Sequence, residues 1–317
     1  MAIVFAFPGQ GSQVVGMGKA LAEAYAESRS VFEEVDDALG EALSKTIFEG
    51  PEDALTLTRN AQPALMAVSM AALRALEKYG ISVREHADYV AGHSLGEYSA
   101  LAAAGSLSIG DSARLLRIRG EAMQQAVPVG EGAMAAILGL DVETVREVAD
   151  KASQGDTCEA ANDNAPGQVV VSGAKRAVER AVDVAKARGA KRAMLLPVSA
   201  PFHCSLMRPA AERMADALAA VEIEAPAVPL IANVTASPIS EVAQIRRRLV
   251  EQVTGMVRWR ESVEWMAGND VGTMAEIGAG RVLSGLVRRI APQMTTLAVG
   301  TPEEVVKAAE AIAAAKQ

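Results

Sequence analysis

A serine between two glycines, in Gly92-His93-Ser94-Leu95-Gly96-Glu97, is the grouping best suited to covalent chemistry. It follows a short strand-like run, Asp88 to Ala91, and opens a helical one through Tyr98, Ala100 and Leu101 to Gly105. A G-x-S-x-G nucleophile elbow needs that strand–turn–helix context. The tight turn leaves no room for side chains two residues either way, which accounts for Gly92 and Gly96. A helix starting at Leu95 would aim unpaired N–H groups and partial positive charge at an anion formed on the serine. The competing reading is a glycine-punctuated turn with no chemistry.

A serine hydroxyl needs a base, and the chain has 3 histidines, so the search is short. His86, in Arg84-Glu85-His86, reads as a solvated loop residue. His93 adjoins Ser94, but neighbouring side chains diverge. His203 remains, after Ser199-Ala200-Pro201-Phe202 and before a helical stretch, Ser205–Ala220. Loops beyond strand ends are where α/β folds place catalytic groups; the alternative is a structural histidine. Hydrolases on related sheets hold the histidine with an acid lying between serine and histidine in the chain. Asp111, Asp141, Asp150, Asp156, Asp163 and Asp183 fall in that interval, and none stands out. A backbone carbonyl accepting the imidazole Nδ1–H would fix the same tautomer.

The loop Pro8-Gly9-Gln10-Gly11-Ser12-Gln13 fails as a dinucleotide loop because Val14 stands where glycine is required. It fails as a phosphate loop because Gly18-Lys19 is followed by Ala20. The N–H groups of Gln10 and Leu95 could together make a two-donor oxyanion hole, or the loop is a simple turn. Arg119 falls on an expected helix, Asp111–Gln125, on the stripe of Leu115, Leu116, Ala122 and Met123. Arg114 and Arg117 fall on the other side and read as solvated. A guanidinium on an apolar stripe needs an anion, either an internal Asp or Glu or a substrate carboxylate held bidentately.

These groups need a scaffold. Short apolar runs alternate with longer amphipathic ones, the pattern of a mostly parallel sheet covered by helices. Strands are expected at Ile3–Phe7, Asp88–Ala91, Pro229–Val234, Gly272–Ile277 and Thr295–Val299, with helices such as Gln62–Lys78 and Thr301–Ala315. Between Gly132 and Leu196 the order is βαββαβ: strand Ala133–Leu140, a helix capped by Asp141, and a strand around Thr157–Ala161. A turn holding Asn162, Asn164, Pro166 and Gly167 follows, then strand Gln168–Ser172, helix Ala174–Arg188 and strand Ala193–Leu196. This is the ferredoxin-like split motif. The 317 residues are 50% hydrophobic but 3% aromatic, so Ala, Val, Leu and Met must fill the core. The formal charge of -8 argues against non-specific nucleic-acid binding. Cys158 and Cys204 make no disulfide framework. No run approaches a membrane span, and MAIVFAF reads as a first strand and not a signal peptide. A soluble cytoplasmic α/β protein is expected.

The ordered set FPGQGSQ (Phe7–Gln13), GHSLGE (Gly92–Glu97), RG (Arg119–Gly120), NAPGQVVVSG (Asn164–Gly173) and PVSAPFHC (Pro197–Cys204) resembles the malonyl-CoA:acyl-carrier-protein transacylases of bacterial fatty-acid synthesis. The resemblance runs in register over nearly the whole chain. It implies a hydrolase-like large α/β domain, residues 1–128 and 200–317, with a ferredoxin-like small domain at 129–199. The implied activity is ping-pong transfer of malonyl from malonyl-CoA to the phosphopantetheine thiol of acyl carrier protein, through a malonyl-serine. Ser94 would be the nucleophile and His203 its base, with the backbone carbonyl of Gln252, in LVEQV from Leu249, orienting the imidazole. Gln10 and Leu95 would form the oxyanion hole and Arg119 would bind the malonyl carboxylate. Phe202 and Asn162 would border the substrate, Phe202 matching malonyl-selective members. Asp163 departs from the family pattern, which has a bulky aromatic in this AAN-x-NAPGQ turn, and the departure falls on the expected pocket rim.

No cofactor or metal is expected, nor any nucleic-acid or membrane partner, and the protein is expected to be a monomer. Carrier proteins are acidic, so docking on this acidic chain calls for a local basic patch. Lys191 and Arg192, near Arg188 and Lys186, are the candidates, against a solvated helix end. Two rival readings are a serine hydrolase using Ser94 and His203, and a non-catalytic module that binds a carrier protein.

Overall fold

Strands without polar alternation belong in a sheet covered on both faces, and the first strand, AIVFAF, is buried along nearly its whole length. The structure, a computed structural model, describes residues 1–198 and 200–316. Its strands are β1 (Ala2–Phe7), β2 (Tyr89–Gly92), β3 (Gly132–Leu138), β4 (Cys158–Ala165), β5 (Gln168–Ala174), β6 (Arg192–Leu195), β7 (Leu230–Ala232), β8 (Ser237–Ile239), β9 (Val271–Ile277) and β10 (Thr295–Val299). They form a six-stranded sheet, β10-β9-β1-β2-β7-β8, and a four-stranded one, β4-β5-β3-β6. The larger sheet is parallel except for β8, a short antiparallel edge strand that the sequence did not reveal.

The smaller sheet is antiparallel throughout, and its order is that of the split βαββαβ motif. Helices Val142–Ser153 and Lys175–Ala187 cover one face, burying Val145, Val148, Val178 and Ala181 against β3 and β5. Asp141 caps the first by accepting the Thr144 N–H. The turn expected around Asn162 and Asn164 is narrower than the sequence suggested. Both asparagines belong to β4, and the hairpin turn is Pro166-Gly167. The expected small-domain boundary at Ser199 lies outside the described residues.

Two packed helices position the polar groups. Thr58–Glu77 is buried over most of its length and packs on Ile109–Gln125. It begins four residues before the expected Gln62, carrying Pro63 inside. Proline there forfeits one backbone hydrogen bond, and burial of Ala61, Ala64 and Leu65 offsets that loss. β4 is tied to the segment after the helix Val242–Thr254 by an isolated bridge of Asn162 with Val257, where Asp163 N–H donates to Val257 O (2.9 Å) and Val257 N–H to Ala161 O (2.9 Å). Open α/β sheets bind ligands beyond the carboxyl ends of their strands; here those ends are Phe7, Gly92 and Ala232.

Candidate active site

β2 ends at Gly92 and a helix begins at Gly96, so Ser94 must turn the chain sharply. Its φ of 53° lies in the left-handed region that L-residues seldom adopt. A Cβ at Gly92 would lie 1.9 Å from Gly96 C, and one at Gly96 would lie 2.3 Å from Phe7 O. Neither position can carry a side chain. Asn233, just past β7, pins the turn: Ser94 N–H donates to its Oδ1 (2.8 Å), and its Nδ2 donates to Gly92 O (2.7 Å).

Ser94 Oγ lies 2.8 Å from His203 Nε2. His203 Nδ1 lies 2.9 Å from the Gln252 carbonyl oxygen. A carbonyl only accepts, so Nδ1 carries the proton and Nε2 is free to accept from the serine. His203 is buried, and burial first, then the Arg119 charge, pushes its pKa down to about 3. It is therefore a neutral acceptor at neutral pH. No carboxylate among the described residues touches it. Of the acids of the interval, Asp111 bonds Ser108 and Arg114, and Asp156 pairs with Arg176 and Arg180.

Arg119, 1% exposed, donates from Nη2 to Ser94 Oγ (3.1 Å) and to Gln252 Oε1 (2.8 Å), and from Nη1 to Gln62 Oε1 (2.8 Å). Its Nε has no partner among the described residues. No Asp or Glu among the described residues hydrogen-bonds it: the acceptors are neutral oxygens, which leaves N–H capacity for a charged ligand. Ser94, His203 and Arg119 open into a cavity of about 1110 Å³ that also takes in Gln10, Leu95, Asn162 and Phe202. Met123, Met134, Val170 and Leu196 give it apolar walls.

An acyl transferase domain model matches residues 4–305. A malonyl CoA-acyl carrier protein transacylase of Bacillus subtilis is 49% identical over 304 residues, 96% of this chain and 95% of its own. A crystal structure of an acyl-carrier-protein S-malonyltransferase from Bartonella henselae superposes at a TM-score of 0.97 with 58% identity, covering 99% of this chain and 100% of that one. A malonyl-transacylase in complex with its type II PKS acyl-carrier protein superposes at 0.95, with 43% identity over 98% and 100% of the two chains. The chain belongs to the malonyl-CoA:acyl-carrier-protein transacylase family.

Several residues of this transacylase-family chain lie differently from the sequence reading. Asp163 is not on the cavity rim. β4 turns Asn162 and Asn164 toward the cavity and Asp163 away, where its Oδ2 meets Arg260 Nη2 at 2.8 Å. Arg117 is not solvated: its guanidinium is nearly buried, pairing with Glu41 and donating to Asn60 Oδ1 (3.0 Å). His86 ends a short helix and accepts the Ser82 N–H through Nδ1 (3.2 Å). His93 diverges from Ser94 as expected, its Nε2 lying 2.8 Å from Asn164 Oδ1. The main-chain N–H groups of Gln10 and Leu95 have no hydrogen-bond partner among the described residues, while the Gln10 side-chain amide donates to Thr58 Oγ1 (3.4 Å). Lys191 and Arg192 are exposed at the start of β6, outside the cavity, while the chain after β6 lines it through Leu196, Pro197 and Val198. Gln62, Glu97 and Asn233 were missed. The Glu of GHSLGE was visible as a motif member, but no spacing tied it to the others.

Proposed function

We propose that this protein moves a malonyl group from malonyl-CoA to the phosphopantetheine thiol of an acyl carrier protein, in fatty-acid synthesis, through a malonyl-Ser94 intermediate. One observation carries the reading: Ser94 Oγ has a neutral imidazole nitrogen at 2.8 Å and a guanidinium nitrogen at 3.1 Å. A base activates the hydroxyl, while a cation next to the reacting atom suits an acyl group that is itself anionic. The names of the relatives support this choice of donor and acceptor.

His203 Nε2 takes the Ser94 proton as Oγ attacks the thioester carbonyl. The unpaired main-chain N–H groups of Gln10 and Leu95 receive the oxyanion, and removing one such donor costs on the order of 10²–10³ in rate. The intermediate collapses with cleavage of C–S, and His203 returns its proton to the departing coenzyme A sulfur. The malonyl carboxylate, two bonds beyond the carbonyl carbon, takes the free N–H groups of Arg119. In the second half, the carrier thiol gives its proton to His203 and its sulfur attacks the ester. The C–O bond breaks and Ser94 recovers the proton. A carbonyl partner for His203 stabilises the imidazolium less than a carboxylate would, which suffices for a thioester, whose leaving group is a good one.

Lys191 and Arg192 would meet the acidic carrier, with Asn162 and Phe202 against the acyl group. The cytoplasm is the proposed location; no described helix is long and apolar enough to cross a membrane. Incubating the acyl-enzyme with and without a thiol acceptor tests the reading. Turnover should need the thiol, whereas fast release to water would make the protein a serine hydrolase.

A further inference from the structure

Glu97 takes no part in those steps, yet it is fully buried three residues beyond the nucleophile. Its Oε1 accepts the Asn233 N–H at 2.5 Å, and its Oε2 accepts from Gln252 Nε2. Arg119 carries only donors, so the Gln252 atom 2.8 Å from its Nη2 must be the amide oxygen. The amide nitrogen then faces two acceptors, Glu97 Oε2 and the Ser94 carbonyl at 2.9 Å. The same residue's main-chain carbonyl holds His203 Nδ1. Gln252 thus joins carboxylate, guanidinium and imidazole.

The charges fit the same scheme. A buried guanidinium without an anion is costly, but a carboxylate directly on Arg119 would occupy the N–H groups a substrate needs. Glu97 stands one amide away and leaves those donors open. Burial pushes its carboxyl up to about 8, against the pull of its hydrogen bonds from Asn233 and Gln252 and of the Arg119 charge. With an N–H donor on each oxygen, its contacts are those of the carboxylate.

We propose that Glu97 is a positioning residue that sets the preference for carboxylate-bearing acyl groups. It locks the Gln252 amide so that Oε1 orients Arg119. The inference rests on the acyl-transfer reading of Ser94.

Glu97→Gln keeps the size but supplies one acceptor and one donor where two acceptors are needed. Whichever way the new amide turns, a donor meets a donor, at Asn233 or at Gln252. Turning Gln252 over to relieve this sets its NH₂ against Arg119. Rates of Ser94 acylation by malonyl-CoA and by acetyl-CoA are followed by intact mass, for the parent, Glu97→Gln, Arg119→Ala and the double variant. The malonyl-to-acetyl rate ratio should fall roughly tenfold to a hundredfold in Glu97→Gln, the worth of one charge-assisted hydrogen bond. It should not change further when Glu97→Gln is added to Arg119→Ala.

Equal losses for both donors, the signature of a merely structural role, would overturn the proposal, and so would an unchanged ratio. If Glu97→Gln does not fold, Gln252→Met removes the amide but keeps the main-chain carbonyl. The same fall is expected there, and an unchanged ratio is equally fatal. A parent protein that forms no adduct from either donor would overturn the acyl-transfer reading together with this inference. Adducts with an unaltered ratio would remove the inference alone.

Discussion

Replacing Arg119 by alanine separates the two acyl donors. The guanidinium is 1% exposed, and its recorded partners are the oxygens of Gln62, Gln252 and Ser94. A malonyl carboxylate held bidentately would gain two charge-assisted hydrogen bonds, each worth about 1.5–3 kcal/mol. Their sum, roughly 3–6 kcal/mol, corresponds to about 10²–10⁴ in kcat/KM at ~1.4 kcal/mol per tenfold. Water entering the vacated space will solvate the carboxylate and return part of that loss, so a fall of about 10²–10³ is expected. Acetyl-CoA has no carboxylate and escapes this loss. Removing the cation also relieves its depression of the His203 pKa, leaving a stronger base for the acetyl reaction. The assay is the time course of Ser94 acylation by each donor, with thermal unfolding as the folding control. If malonyl and acetyl rates fall by the same factor, Arg119 is structural and the carboxylate assignment is wrong.

The acid limb of acylation should lie well below pH 6.5. Burial and the Arg119 charge hold His203 near 3, so its base form persists on acidification, whereas an inflection close to 6.5 would contradict this environment. Stability follows the same sign. The unfolded histidine binds a proton below about 6.5 and the folded one does not, so the contribution is complete above 6.5 and is lost as pH falls toward 3. Asp163→Asn should weaken folding by about 1–3 kcal/mol in denaturant titration and leave the malonyl-to-acetyl ratio untouched. A changed ratio would put Asp163 back on the cavity rim. Charge reversal at Lys191 and Arg192 should raise the KM for carrier protein and spare acylation by malonyl-CoA; if neither parameter moves, docking lies elsewhere.

What could be read from the sequence was local or rare. The elbow was legible because two close backbone approaches dictate its glycines, and His203 because the chain has 3 histidines. Arg119 was legible from a helical stripe. Gln252 was not legible from residue chemistry, since a main-chain carbonyl can come from any residue type, and only the motif resemblance pointed to it. Arg117 was misread because Glu41 and Asn60 reach it from distant segments that helical periodicity does not describe. The polar network of Gln62, Glu97, Asn233 and Gln252 was hidden for the same reason, its contacts spanning up to 158 positions. In sequence Asp163 reads as a turn residue, because asparagines and a Pro-Gly pair surround it. Strand alternation, which sends it opposite to Asn162 and Asn164, emerges once β4 is paired.

The central claim is that one hydroxyl carries the acyl group between two thiols. It is tested most directly by intact mass of the protein mixed with malonyl-CoA and then chased with holo acyl carrier protein. A single malonyl adduct, absent from Ser94→Ala and discharged stoichiometrically onto the carrier thiol, is predicted. An adduct that survives in Ser94→Ala, or undiminished transfer by that variant, would contradict the account.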